Sequence, residues 1–214
     1  MNHRSELTTQ YTAGRTAEPM VNRTVATMAL ARAAAQGDLP ATRELLRLVS
    51  PRIQRVVKSV MGASHPSADD AVQQALIAFI QGLSAFRGEC DPASYAARIA
   101  IRTAIAVRRR ARVLSQRAEP MGEIDEASGD ATPLEEALAK RRQQLVRDLL
   151  AEIPEEQAES LALRVVLGWT LEEIAESTGA PLNTVRSRLR LAKEALRRRI
   201  EGDPQLLEAL EVKP

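Results

Sequence analysis

Aromatic side chains are nearly absent: one Trp, two Tyr and two Phe in 214 residues. A core without them must be built from Leu, Ile, Val and Ala. Those residues, with abundant Arg and Glu, favour helix. Cysteine occurs once, as Cys90, which excludes a disulfide framework and a cysteine-based zinc site. The loop position of Cys90 reads as incidental. The two histidines, His3 and His65, have no ligand partners at useful spacing, so no metal is expected. The N-terminus has no apolar signal-like segment, and no stretch has the length of a membrane span. These absences predict a cytoplasmic protein with no membrane insertion. A phosphate-binding Gly-rich loop and a Ser/His/Asp set are also missing, so no catalysis and no cofactor are expected.

What is present is segregated charge. The net charge is only +2, but residues 101–118 hold six arginines and no acid (Arg102, Arg108, Arg109, Arg110, Arg112, Arg117). Residues 119–136 hold seven acids and no base. Residues 181–200 hold seven bases against Glu194 alone. Two basic blocks separated by an acidic one suggest two nucleic-acid contacts on one chain.

Helical periodicity runs through most of the chain, with no strand pattern. The expected fold is all-α: two small helical domains joined by a flexible acidic linker, the second containing a helix-turn-helix. The expected boundaries are a flexible tail over 1–23, a helical domain over 24–114, the linker over 115–133, the helix-turn-helix domain over 134–202 and a tail over 203–214. In the first domain, Asp38 reads as an N-cap. Ser50 reads as the N-cap of a further helix with Pro51 at its first position, ending at Gly62. After Ser67, Val72, Leu76, Phe79, Ile80 and Leu83 form an apolar stripe. The opposite face carries Asp70, Gln73, Gln74 and Ile77, a mixed surface suited to a protein partner. A loop around Gly88 follows, with Phe86 read as core. A helix from about Pro92 to Val113 then places Arg98, Arg102 and Arg109 within roughly 40° of each other.

The second domain is expected to hold helices at about 134–152, 155–167, 171–178 and 182–200. In "TLEEIAESTGAPLNTVRSRLRLAKEALRRRI", Thr170 and Glu173 form a capping-box pair. Gly179 supplies the turn, and Pro181 pre-sets the entry into the next helix. Val185, Leu189, Ala192 and Leu196 make that helix's buried stripe. Arg186, Arg190, Lys193 and Arg197 make a basic stripe roughly 100° round from it. This is the pattern of a helix-turn-helix whose second helix enters the major groove. Asn183, Thr184, Arg186, Ser187 and Arg190 would reach base edges, and Lys193 and Arg197 phosphates. Trp169, just before, is expected to pack between helices.

"WTLEEIAESTGAPLNTVRSRLRLAKEALRRRI" resembles the fourth region of bacterial sigma factors. "DDAVQQALIAFIQGLSAFRGE" resembles the second region, and "ARIAIRTAIAVRRRAR" the arginine-tailed helix that follows it. The two-domain arrangement looks like the extracytoplasmic-function group. The resemblance spans about residues 24–200. It implies a non-enzymatic factor that binds core RNA polymerase and promoter DNA and is held by an anti-sigma factor. It assigns Asp70, Gln73, Gln74 and Ile77 to polymerase docking. It assigns Asn183, Thr184, Arg186, Ser187, Arg190, Lys193 and Arg197 to the −35 element, and Tyr95, Arg98, Arg102, Arg109 and Arg112 to the −10 element. Two other readings stand beside it: a stand-alone helix-turn-helix regulator, and a sigma-like adaptor that does not open promoters. Family members usually carry aromatics, often Trp, where this chain has Tyr95 alone.

Overall fold

The computed structural model describes residues 18–86, 88, 90–115 and 133–203. The expected acidic linker, both expected tails for the most part, and Arg117 lie outside them. Among the described residues are eight α-helices in chain order: α1 Glu18–Ala35, α2 Leu39–Met61, α3 Ala68–Gly82, α4 Pro92–Ser115, α5 Pro133–Glu152, α6 Glu155–Val166, α7 Leu171–Thr178 and α8 Leu182–Glu201. A single 3-10 turn, Leu83–Ala85, follows α3. The helix reaches back to Glu18, so the first helix starts within the stretch expected to be a tail.

In the first bundle α2 and α4 are the central pair, and α1 and α3 pack on them. Asp38 caps α2, its carboxylate accepting from the Ala41 amide at 2.8 Å. The expected break at Ser50 does not occur, because α2 runs unbroken through Pro51. The Ser50 hydroxyl does not cap; it donates back to the Leu46 carbonyl at 2.6 Å. A proline inside a helix costs about 3 kcal/mol. What offsets it is a buried stripe continuing on both sides: Leu45, Val49, Ile53, Val57 and Val60 are all fully buried. At roughly 1.5–3 kcal/mol for each fully buried branched side chain, that stripe outweighs the proline. Gly62 ends the helix at φ 100°, a conformation open to glycine.

On α3 the buried set is Ala68, Ala71, Val72, Ala75 and Phe79, with Leu83 just beyond. Ile80 was expected in that stripe but is 40% exposed. The core side of α3 is centred on its alanines, and α4 likewise brings Ala96, Ala97, Ala100 and Ala104 to the core. The buried face is thereby rotated away from Ile80, which joins the outer face.

The second bundle follows the expected spans to within a residue or two. The capping box is formed: the Thr170 hydroxyl accepts from the Glu173 amide at 3.1 Å, and the Glu173 carboxylate from the Thr170 amide at 2.7 Å. Gly179 takes the left-handed conformation at φ 67°. Pro181 stands one position before α8, as its N-cap. Ile174, Val185, Leu189 and Ala192 close the core of this unit, with Leu196 and Trp169 packed at its margin. The two bundles meet where α5 and α6 lie against α4 and the end of α2, and their apolar cores run together.

Candidate nucleic-acid interface

Two surfaces carry the arginines singled out by the sequence. The first is the outer face of α8. Asn183, Arg186, Ser187, Arg190, Lys193 and Arg197 are exposed, and Thr184 is half-buried. Their ordering contacts lie within their own helix. Arg186 donates to the Asn183 side chain at 3.0 Å, Arg190 to Glu194 at 2.5 Å and Arg197 to Glu201 at 2.7 Å. Such i,i+3 and i,i+4 pairs are weak on a helix surface. They extend the side chains along the helix without engaging another element. The face is rigidly based, because Val185, Leu189 and Ala192 behind it are buried.

The second surface is on α4, and it is placed differently. Arg98 donates to Glu159 of α6 at 2.8 Å and also to the Ser177 carbonyl in the last turn of α7. Arg102 lies 3.6 Å from Glu155. Arg109 donates to the Ile153 carbonyl, just past the end of α5, and Arg112 to Glu152 and the Asp148 carbonyl. All four expected −10 arginines therefore turn toward the second bundle. Their partners are carboxylates of α5 and α6, and carbonyls towards the C-terminal ends of α5 and α7, where the helix dipole is negative.

Tyr95 is half-buried and belongs to the core margin. Its hydroxyl donates to the Gly82 carbonyl at 3.2 Å, and its ring lies 5.0 Å from Phe86 and 6.1 Å from Phe79. Phe86 is thus part of the core margin, as its expected role requires.

Sequence reasoning missed Arg108 as an anchor. Only 5% exposed, it donates to the Met61 carbonyl at 2.5 Å, the Arg147 carbonyl at 3.1 Å and Asp148 at 3.1 Å. It ties the end of α2 to α5. A signal for this was available: Arg108 continues the stripe Ala97, Ile101, Ala104, whose members are all fully buried, at i, i+4, i+7 and i+11. The acids opposite, Asp148, Glu152, Glu155 and Glu159, were also passed over. They fall at the same helical spacing, but across the break between α5 and α6.

The expected docking face on α3 is open. Asp70, Gln73, Gln74 and Ile77 are exposed, and Ile77 with Ile80 gives it an apolar pair. Among the described residues no helix is long and apolar enough to cross a membrane.

Comparison with known proteins bears on both bundles. Residues 45–113 match the family model described as Sigma-70 region 2. Residues 143–196 match the one described as Sigma-70, region 4. The ECF RNA polymerase sigma-E factor of Escherichia coli strain K12 is 28% identical over 172 residues, covering 74% of this chain and 88% of that protein. The sigma-E factor of Haemophilus influenzae is 29% identical over 175 residues, covering 78% and 90%. In fold the chain is similar to CnrH, solved in complex with the cytosolic domain of CnrY. The TM-score is 0.51 at 20% identity, covering 83% of this chain and 99% of CnrH; at that identity the likeness speaks of fold alone.

Proposed function

We propose the following division of labour for a chain that belongs to the extracytoplasmic-function group of the sigma-70 family and, as a sigma factor, binds RNA polymerase and recognises promoters. The α7–turn–α8 unit reads the −35 element. Asn183, Thr184, Arg186, Ser187 and Arg190 face base edges, while Lys193 and Arg197 take phosphates. The observation that carries this is the exposed polar and basic face of α8 over a buried Val185–Leu189–Ala192 base. The open face of Asp70, Gln73, Gln74 and Ile77 on α3 docks on the polymerase, with Ile80 added to it. Arg98, Arg102, Arg109 and Arg112 engage the −10 region. Residues 18–115 act as the first unit and 133–203 as the second. The protein works in the cytoplasm, and the polymerase supplies all the chemistry. An anti-sigma factor is the further partner that family membership implies.

The test is transcription in vitro with purified protein, sigma-free core polymerase and a randomised promoter library. Transcripts sharing two upstream elements at fixed spacing are the expected result. Co-elution with core polymerase but no transcripts would favour the adaptor reading. The engagement of Tyr95 with Gly82 and Phe86 is the feature that supports this second reading, since it leaves that ring less free to hold an unpaired base.

A further inference from the structure

On a face charged to meet DNA, one carboxylate is out of place. Residues 181–200 hold seven bases and a single acid, Glu194. Glu194 is exposed, and it accepts from Arg190 Nη1 at 2.5 Å, one turn back on the same helix. At roughly 100° per residue, Glu194 stands opposite Val185 of the buried stripe, with Arg190 about 40° away. An anion there repels DNA phosphates and subtracts from the attraction of the bases around it. Helix stability does not account for it. A glutamate four residues before a base supports a helix better than one four residues after it, and Glu194 follows Arg190. With side chains 63% and 49% exposed, the pair is also too open to hold much.

We propose that Glu194 is a positioning residue for the −35 element: it holds the Arg190 guanidinium toward a base edge and discourages phosphates of any sequence from taking it. The proposal rests on the reading of α8 as the −35 helix. A guanidinium is a planar fork of five N–H donors, and the carboxylate engages one terminal nitrogen. The edge formed by Nε and the other terminal nitrogen keeps its donors for an acceptor pair such as guanine O6 and N7. A long side chain ordered before contact loses less rotamer freedom on binding. The pair stands on a fixed base, because Leu189 and Ala192 beneath it are buried. Arg186 is ordered in a similar way by Asn183 at 3.0 Å, but by a neutral group. The charge on Glu194 adds discrimination. A phosphate approaching Arg190 meets an anion beside it, whereas a base edge carries no net charge to be repelled.

The experiment compares full-length wild type, Glu194→Gln and a matched control, Glu44→Gln. Glu44 belongs to an exposed intrahelical pair with Arg47 in the other bundle, and its loss changes the net charge equally. The first readout needs neither polymerase nor DNA. Side-chain NMR relaxation gives the order parameter of the Arg190 Nε–H group, identified by its loss in Arg190→Lys. It should fall in Glu194→Gln and stay unchanged in the control. The second is anisotropy with a short fluorescent duplex of mixed sequence. Glu194→Gln should bind about two- to threefold more tightly than the control at low salt, with the gap closing as salt rises. The third is the randomised promoter library with core polymerase. Preference at one −35 position should weaken about threefold in Glu194→Gln and vanish in Arg190→Ala, with denaturant unfolding of Glu194→Gln unchanged. An unchanged order parameter, duplex affinity equal to the control's, or base preferences as sharp as the control's overturns the proposal. A uniform loss at every position with lowered stability also overturns it, since Glu194 would then only support the helix. If wild type yields no transcripts, the −35 reading fails by itself. The order parameter and the duplex titration then still decide whether Glu194 holds Arg190 and repels DNA.

Discussion

α4 and α8 are both arginine-rich amphipathic helices of similar length, yet their basic faces are in opposite situations. On α8 Arg190 and Arg197 lean on acids of the same helix and look outward, and only Arg199 near its end reaches an acid of another helix, Glu152 of α5. On α4 they lean on another bundle and look inward. The difference comes from the neighbours. α8 ends the helix-turn-helix, and its basic stripe is set well round from the buried stripe, so packing the stripe does not cover the arginines. On α4, Arg98, Arg102 and Arg109 stand equally far round from the buried stripe Ala97, Ile101, Ala104 and Arg108, but α5 and α6 pack over that side. Basic composition therefore marks an anion-binding face without saying which anion occupies it.

The largest effect that tests this contrast is on stability. Arg108→Ala would strand the Met61 carbonyl at the end of α2, take a second donor from the Arg147 carbonyl inside α5, and leave Asp148 to Gln144 and, at 38% side-chain exposure, to water. That partial exposure sets the loss below that of a fully buried pair, at about 2–4 kcal/mol. Denaturant unfolding should register it, while the exposed neighbour Arg110→Ala should stay within about 0.5 kcal/mol. Equal effects would mean that Arg108 is an ordinary surface arginine. Next in size is a binding effect on the other helix. Arg190→Ala should weaken −35 binding by about 1–3 kcal/mol if it reads a base, with little change in unfolding because its pair with Glu194 is exposed. An equal loss on all sequences would reduce Arg190 to a phosphate contact. Smaller again, Thr170→Ala removes the capping box in front of α7 and should cost about 1 kcal/mol in thermal or chemical unfolding. A neutral result would show that packing of Ile174 alone sets the start of that helix.

The helix-turn-helix was legible almost residue by residue, since its signals are local. A hydroxyl three residues before a carboxylate, and a glycine at the turn, act within one turn of chain whatever packs around them. Pro51 and Ile80 were misread for the opposite reason. Pro51 sits inside a helix because Leu45, Val49, Ile53 and Val57 bury on both sides of it, which a local rule for proline does not weigh. Ile80 faces out because the alanines of α3 and α4 form the core there. The arginines of α4 were rightly grouped on one face, but the periodicity of one helix says nothing about what lies across from it. The partner acids keep helical spacing in the sequence but are split between α5 and α6, so that spacing alone does not set them on one face.

The smallest effect separates the two roles of the α4 face most sharply. Arg102 and Glu155 form one pair at 3.6 Å, with side chains 52% and 50% exposed. Removing either partner should change unfolding free energy by less than about 0.5 kcal/mol. If the pair mattered only to the contact between bundles, Arg102→Ala and Glu155→Gln would have the same consequence for DNA binding. If Arg102 exchanges a carboxylate for a phosphate, they must differ in sign. Glu155→Gln should strengthen binding to any duplex. Arg102→Ala should weaken it and lower the steepness of log K against log salt by about 0.9, the share of one phosphate contact. Paired titrations across a salt series read both quantities. Two variants that shift affinity in the same direction would place Arg102 outside the DNA-binding face.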